Sequence, residues 1–141
     1  MKRIVFNIIW ISLFAFVFSC DVLDTNEDPN GYNLEGTWKC DETSSTYKST
    51  MNYYNIYIEP NPSDSLKIYI YNFYQLGNDI EVNASISGHN LTIRTQSVGD
   101  GFTVSGNGTI ASNLKTIEVS YLVDDGSGSD DNVTATLTYL Y

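Results

Sequence analysis

The side chains that most often carry out catalysis are scarce in this chain. It contains one histidine, His89, which falls in the predicted turn Gly88-His89-Asn90. A Ser-His-Asp triad or a catalytic zinc site needs partners arranged around an imidazole. The two cysteines, Cys20 and Cys40, form no cluster that could ligate a metal with it. The sequence therefore predicts no enzyme, no catalytic residue, no metal site and no cofactor, with His89 as a solvent-exposed turn residue.

One predicted loop concentrates carboxylates that could bind calcium. It reads Asp124-Asp125-Gly126-Ser127-Gly128-Ser129-Asp130-Asp131-Asn132. Calcium takes oxygen ligands from such loops, but the spacing does not match an EF-hand. The Gly-Ser repeats would also leave the ligands without a fixed arrangement. The pattern favours a flexible, solvated hairpin loop, with calcium binding as the alternative.

The N-terminus carries an export signal. Lys2 and Arg3 precede an apolar stretch over residues 4–18, which is shorter than the roughly 20 residues that span a bilayer. Val17-Phe18-Ser19-Cys20 resembles the lipobox of bacterial lipoproteins, in which the cysteine is acylated and becomes the new N-terminus. This predicts a signal peptide over residues 1–19, lipid attachment at Cys20 and an outer-membrane protein on the periplasmic or cell-surface face. A signal peptide without lipidation is the alternative.

The segment after Cys20 predicts a tether, and its charge limits the partners. Residues 20–33 comprise the lipidated cysteine and an acidic, aperiodic stretch typical of a flexible linker. Without residues 1–19 the chain keeps 5 basic and 17 acidic side chains, a formal charge of −12. This balance argues against nucleic-acid binding through a basic patch. Cys40 is expected to be a buried apolar residue on the first strand, with a free or intermolecularly bonded thiol as the alternative.

The remaining chain, residues 34–141, alternates apolar and polar residues with the period of a β-strand. Short turns rich in Gly, Asn and Pro separate the alternating runs, so neighbouring strands should pair as antiparallel hairpins. About eight strands are expected, including runs at 36–43 and 102–111. An all-antiparallel meander avoids exposed edges by closing on itself. We therefore predict one all-β domain, a single antiparallel up-and-down β-barrel.

The second hairpin can be given a register from the sequence. Ile58 and Ile68 must share the buried face, because a one-residue slip would expose a whole row. Pairing these two residues directly would place Glu59 opposite Lys67 and Tyr57 opposite Tyr69. Both of those cross-strand pairs are favourable.

The start of the first strand resembles a known family. Gly36-Thr37-Trp38 resembles the G-x-W signature of lipocalins and the wider calycin group. Together with the segment Asn72-Phe73-Tyr74-Gln75-Leu76-Gly77, it is similar to small lipocalin-like lipoproteins of Bacteroidota. The resemblance implies a lipocalin-like barrel with Trp38 closing one end, and it implies no defined activity.

Two binding modes follow for this barrel. The first is a small hydrophobic ligand inside it, for which the candidate residues are the bulky aromatics Trp38, Phe102, Tyr121 and Tyr139. These same bulky residues also favour a mostly filled interior. The second is an outer surface in which Tyr57, Tyr69 and Tyr71 form an aromatic stripe. The sequence thus predicts a membrane-anchored, non-catalytic barrel that binds a small hydrophobic ligand, with a solid barrel that contacts a cell-surface protein or glycan as the alternative.

Overall fold

The computed structural model describes residues 32–46 and 52–141. The predicted signal peptide, Cys20 and most of the predicted tether lie outside these residues. Eight strands and one short 3-10 helix follow in chain order: β1 (Gly36–Ser44), β2 (Asn52–Pro60), β3 (Lys67–Tyr71), η1 (Phe73–Gln75), β4 (Glu81–Ser87), β5 (Asn90–Val98), β6 (Phe102–Ile110), β7 (Thr116–Asp124) and β8 (Asp131–Tyr139).

The eight strands form a closed antiparallel barrel in which each strand pairs with its neighbours in sequence. The first and last strands close the barrel, with Trp38 opposite Tyr139 and Ser44 opposite Val133. This confirms the predicted all-β fold and up-and-down order, and the barrel is consistent with a calycin-like fold. In the part of the chain that the structure describes, no helix is long and apolar enough to cross a membrane.

We call the two ends of the barrel the floor and the mouth. The floor is the end where β1 begins and β8 ends, and the mouth is the end where β8 begins. Alternate residues of each strand point inward and are buried, as in the pattern of β7, where Ile117, Val119, Tyr121 and Val123 are buried. Apolar burial of this kind is the main stabilising contribution to a fold of this size.

The predicted register of the second hairpin is wrong by two residues. Ile58 pairs with Ile70, Tyr57 with Tyr71 and Glu59 with Tyr69. The turn explains the difference, because the Asn61 backbone amide donates to the Lys67 carbonyl oxygen at 3.0 Å. Asn61 thus lies opposite Lys67, and each paired residue of β2 has its partner two residues further along the chain than predicted. Lys67 instead forms an ion pair with Asp64 at 2.8 Å. The predicted sharing of one buried face by Ile58 and Ile68 is correct, since a shift of two residues preserves the face.

Candidate functional site

The floor of the barrel is closed by Trp38, as the sequence predicted. Its side chain is 0% exposed. The indole Nε1 donates to the Leu34 carbonyl oxygen at 2.9 Å. The Tyr139 ring meets the indole edge-on with centroids 5.2 Å apart, and the Lys115 ammonium lies 3.6 Å from the centroid of that tyrosine ring. An edge-on aromatic contact and a hydrogen bond therefore hold the Trp38 side chain in place across the floor.

Gly36 is required at this position because the chain approaches itself closely. A Cβ atom there would lie 2.5 Å from the Tyr141 carbonyl oxygen and 2.9 Å from the Tyr139 ring, and φ is +136°. Any other residue would push the end of β8 away from β1 and strain the backbone. Gly36 thus allows the start of β1 to approach Tyr139 and Tyr141 closely, at the same end of the barrel that the Trp38 side chain closes.

The four predicted ligand-binding residues divide between the two ends of the barrel. Trp38 and Tyr139 meet at the floor. Tyr121 lies toward the mouth, buried, with the Phe73 ring 4.4 Å away between centroids. Phe102 begins β6 at the mouth and is half-buried. The fold therefore does not bring these four aromatics together around one space.

The barrel interior is filled by side chains. Apolar side chains from all eight strands form one cluster inside the barrel, and its buried members keep 6% or less of their surface accessible. This is the packing of a protein core and not of a water-accessible calyx. The small inward residues leave little space: a Cβ on Gly106 would lie 2.5 Å from the Tyr121 Cβ, and Ala84 and Ala135 are themselves buried. Tight packing thus extends from the floor to the level of Tyr121.

A carboxylate lies inside the mouth, at an inward position of β1. The Glu42 Oε1 atom accepts hydrogen bonds from the phenol groups of Tyr54 and Tyr121, and the Cys40 thiol lies 3.7 Å from it. Burial raises the pKa of the Glu42 carboxyl, although the bonds from the two tyrosines partly offset this. Burial also raises the pKa of both phenols and of the thiol. At neutral pH these phenols and the thiol are hydrogen-bond donors and not nucleophiles.

Asp131, the first residue of β8, forms hydrogen bonds with the end of β1 and with η1. Its Oδ2 accepts from the Ser44 hydroxyl at 2.6 Å and the Tyr74 hydroxyl at 2.9 Å. Its Oδ1 accepts from the Thr46 amide at 3.0 Å and from the Ser45 amide and hydroxyl at 3.1 Å each. Burial alone would raise the pKa of Asp131, but these bonds outweigh it and hold the pKa at about 2. We call this arrangement of Asp131, Ser44, Ser45, Thr46 and Tyr74 the mouth clasp.

The segment that supplies Tyr74 has an unusual backbone. Asn72, Tyr74 and Gln75 have φ values of 59°, 53° and 58°, a region that residues other than glycine seldom adopt. The Tyr74 ring meets Tyr121 edge-on with centroids 6.2 Å apart. Phe73 and Tyr74 therefore cover the mouth, and the hydrogen bond to Asp131 is one of the contacts that hold this cover in place.

The polar mouth was not predicted from the sequence, apart from Tyr121. Glu42, Tyr54 and Tyr74 took no part in the predicted sites, and Asp131 was considered only as one carboxylate of the loop that could bind calcium. A usable signal existed in β1, where Glu42 and Ser44 continue the inward row of Trp38 and Cys40. A charged residue in an otherwise apolar row indicates an internal hydrogen-bonding partner. Cys40 is buried, as predicted.

Replacing Glu42 with glutamine should change how stability depends on pH. A carboxyl whose pKa is raised in the folded protein binds its proton more tightly there, so stability falls as pH rises through the ordinary carboxyl range. Glutamine removes this effect while keeping the side-chain shape. We expect the E42Q variant to gain stability relative to the parent between about pH 4 and pH 7, measured by urea unfolding.

The exposed carboxylate Glu81 on β4 provides the control for this experiment. Glu81→Gln removes the same charge outside the barrel and should not reproduce the trend. A stability difference between E42Q and the parent that stays constant over this pH range would contradict the assigned environment of Glu42.

The predicted tyrosine stripe lies on the outer face of β2 and β3. Tyr57 and Tyr71 are cross-strand partners, with ring centroids 6.4 Å apart and planes inclined at 36°. Tyr57 is 39% exposed. Tyr69 lies two residues before Tyr71 on the same face, where its hydroxyl accepts a hydrogen bond from the Asn61 side-chain Nδ2 at 2.6 Å. We call Tyr57, Tyr69 and Tyr71 the tyrosine face.

The remaining candidates from the sequence have local roles. His89 is exposed in the turn between β4 and β5, with Nδ1 2.8 Å from the Ile110 carbonyl oxygen. In the acidic loop, Asp124 and Asp125 accept hydrogen bonds from the amides two residues ahead, at 2.8 and 2.9 Å. Within residues 32–46 and 52–141, no group of three His, Cys, Asp or Glu side chains could hold a metal ion.

Comparison with known proteins returns no assignment. No protein-family model matches the chain, and no curated protein matches it significantly.

Proposed function

We propose that this protein is a membrane-anchored lipoprotein whose solid, non-catalytic β-barrel acts as an interaction module on its outer surface. Acylated Cys20, which becomes the N-terminus after removal of residues 1–19, is the membrane anchor. The protein is located at the outer membrane, on the periplasmic or cell-surface face. The lipobox-like end of the leader supports this part of the proposal. No catalytic residue or cofactor takes part.

The filled interior is the observation that favours a surface interaction over a small hydrophobic ligand. Such a ligand would have to displace core side chains that are 6% exposed or less. It would also have to pass Phe73 and Tyr74, which cover the mouth, and then meet the Glu42 carboxyl. Desolvating that carboxyl further beside an apolar molecule is costly.

The tyrosine face is the contact surface that best suits this function. Paired tyrosine rings offer apolar area for a sugar ring or a protein side chain, together with hydroxyl groups for hydrogen bonds. Glu35 adds an acceptor at the edge, since the Tyr57 hydroxyl donates to its Oε1 at 3.4 Å. Tyrosine is also enriched among residues that dominate binding energy at interfaces.

Substitution of the tyrosine face tests this function. We expect the combined variant Tyr57→Ser, Tyr69→Ser and Tyr71→Ser to lose about tenfold or more in affinity for the partner, because each ring supplies contact area. The partner would be sought by presenting the purified lipoprotein to a glycan array and to surface proteins of the same cells. Tyr57 is exposed and Tyr69 and Tyr71 are half-buried at the outer surface. Losing their cross-strand contacts should cost about 0.2–1 kcal/mol per pair, so the variant should remain folded.

Tyr53→Ser is the matched control, because Tyr53 is an exposed tyrosine on β2 outside the tyrosine face. Its ring lies 5.0 Å from the Lys39 ammonium. Equal binding by the parent and the combined variant would rule out the tyrosine face as the contact surface. A hydrophobic molecule bound with one-to-one stoichiometry inside the barrel would instead favour the small-ligand alternative.

A further inference from the structure

The barrel wall separates between β4 and β5. The β4–β5 ladder contains three residue pairs, which are Ser85 with Thr92, Ile86 with Leu91 and Ser87 with Asn90. Beyond Thr92 the strand leaves β4, and its register with β6 shifts between Ile93 and Gln96. Extra residues of this kind bend a strand and redirect its side chains, and they are frequent beside binding sites.

The Gln96 side chain bridges the opening that this shift creates. Its Oε1 accepts from the Asn83 amide at 2.9 Å, and its Nε2 donates to the Asn83 carbonyl at 2.7 Å. The same Nε2 also donates to the Arg94 carbonyl at 3.1 Å. The side-chain amide therefore replaces a missing ladder pair and fixes the backbone that carries Arg94.

Two open grooves meet at this point on the outside of the barrel. One, of about 430 Å³, is lined by Asn83, Ser85, Gln96 and Lys67. The other, of about 760 Å³, crosses β5 to β8 and has a mixed lining, in which Asn107, Ser120, Asn132 and Thr134 supply polar groups and Leu122 supplies apolar surface. Thr92 and Arg94 line both grooves. The combined surface is large enough for a ligand of a few rings.

The charge of this surface differs from that of the whole chain. The full sequence contains 17 acidic and 7 basic side chains, yet no Asp or Glu lines either groove. Two carboxylates on the outer face of β7 lie beyond the lining residues: Glu118, which accepts a hydrogen bond from Thr136, and Asp124. An anionic group would therefore meet little repulsion in the grooves themselves.

Arg94 is available to bind such a group. Among the cations in the described part of the chain, Lys39 and Lys67 form ion pairs with aspartates, and Lys115 lies over a tyrosine ring. Arg94 makes no ion pair or ring contact within residues 32–46 and 52–141. A guanidinium group presents a planar set of donors that matches a carboxylate with two parallel hydrogen bonds.

We propose that the two grooves form one binding site for an acidic saccharide, in which Arg94 pairs with a sugar carboxylate. The hydroxyl and amide groups of Asn107, Ser120, Asn132 and Thr134 then bond the sugar hydroxyls. Lys67 lies at the far rim of the smaller groove, where its ammonium is already paired with Asp64. The site spans β3 to β8 and contains no residue of the tyrosine face, although Asn83 is the cross-strand partner of Tyr69. Its test uses variants outside that face, so it does not depend on the function proposed above.

Titration with trigalacturonic acid, followed by amide chemical shifts, tests this site on the full chain. We expect the shifts to concentrate at Asn83, Thr92, Arg94 and Asn107. The Arg94→Gln variant keeps a polar side chain but lacks the charge, and we expect it to weaken binding by about tenfold, the usual effect of losing a charged hydrogen-bonded pair. Lys39→Gln, which removes a cation from β1, is the control and should bind as the parent does.

Two further titrants separate the parts of this proposal. The methyl ester of trigalacturonic acid keeps the sugars and removes the charge, and acetate keeps the charge and removes the sugars. Both should bind at least about tenfold more weakly than trigalacturonic acid. The proposal is overturned if acetate binds equally well, if the methyl ester binds equally well, or if Arg94→Gln behaves like Lys39→Gln.

Discussion

Replacing Trp38 with alanine is expected to lower the free energy of unfolding by about 4 kcal/mol, within the range for removing a large buried aromatic side chain. Three contacts are lost together. They are the apolar packing of a side chain that is 0% exposed, the 2.9 Å hydrogen bond to the Leu34 carbonyl and the edge-on contact with Tyr139. Urea unfolding of the purified variant measures the change.

Trp38→Phe separates packing from the hydrogen bond. Phenylalanine keeps an aromatic ring but leaves the Leu34 carbonyl without its donor, so we expect an intermediate loss of about 2 kcal/mol. A loss below about 1 kcal/mol for Trp38→Ala would mean that the floor is not sealed by this side chain, because a filled core does not tolerate such a cavity.

Replacing Asp131 with alanine is expected to destabilise the protein by about 3 kcal/mol, because several donors lose their shared acceptor. The amides of Ser45 and Thr46 and the hydroxyls of Ser44 and Tyr74 all bond this carboxylate. Losing it releases the end of β1 and the cover over the mouth at once. Amide hydrogen exchange at Ser45 and Thr46 should rise more than at the floor.

The same carboxylate should make stability fall in acid. The pKa of Asp131 is lowered from its ordinary value of 3.8 to about 2. The folded protein therefore favours the ionised form, and the stabilisation is fully present above the ordinary pKa. It is lost as pH falls from about 4 toward 2. Asp131→Ala should show a weaker loss over this range than the parent.

Asp130→Ala is the matched control for both measurements, because Asp130 is the exposed neighbour in the acidic loop. We expect it to change the free energy of unfolding by about 0.5 kcal/mol or less. If Asp130→Ala and Asp131→Ala were equally stable, the mouth clasp would contribute nothing to the fold.

Strand alternation made most of the fold predictable. Rows such as Val82, Ala84 and Ile86 placed one face of each strand in the core, and short turns allowed only antiparallel neighbours. The strand count and the closed barrel follow from these two features. The register of β2 and β3 did not follow, because a shift of two residues keeps the same face buried and the turn at Asn61 decides between the two.

The internal polar groups were harder to predict because their partners are distant in sequence. Ser44 and Asp131 are 87 residues apart, and no local pattern links them. The opening beside β5 did leave a signal. Ile93 and Val98 are both buried, and an odd separation between two inward residues requires an extra residue in the strand. That spacing indicates the register shift between Ile93 and Gln96, the segment that contains Arg94.

We propose that the barrel is filled and binds its partner on the outside. Native mass spectrometry of the lipoprotein purified from its own membrane tests it most directly, because ligands held inside a barrel survive gentle ionisation. We expect the mass of the acylated chain from Cys20 onward, with no small hydrophobic molecule retained. A hydrophobic molecule retained at one copy per chain, and lost when the protein unfolds, would contradict the claim.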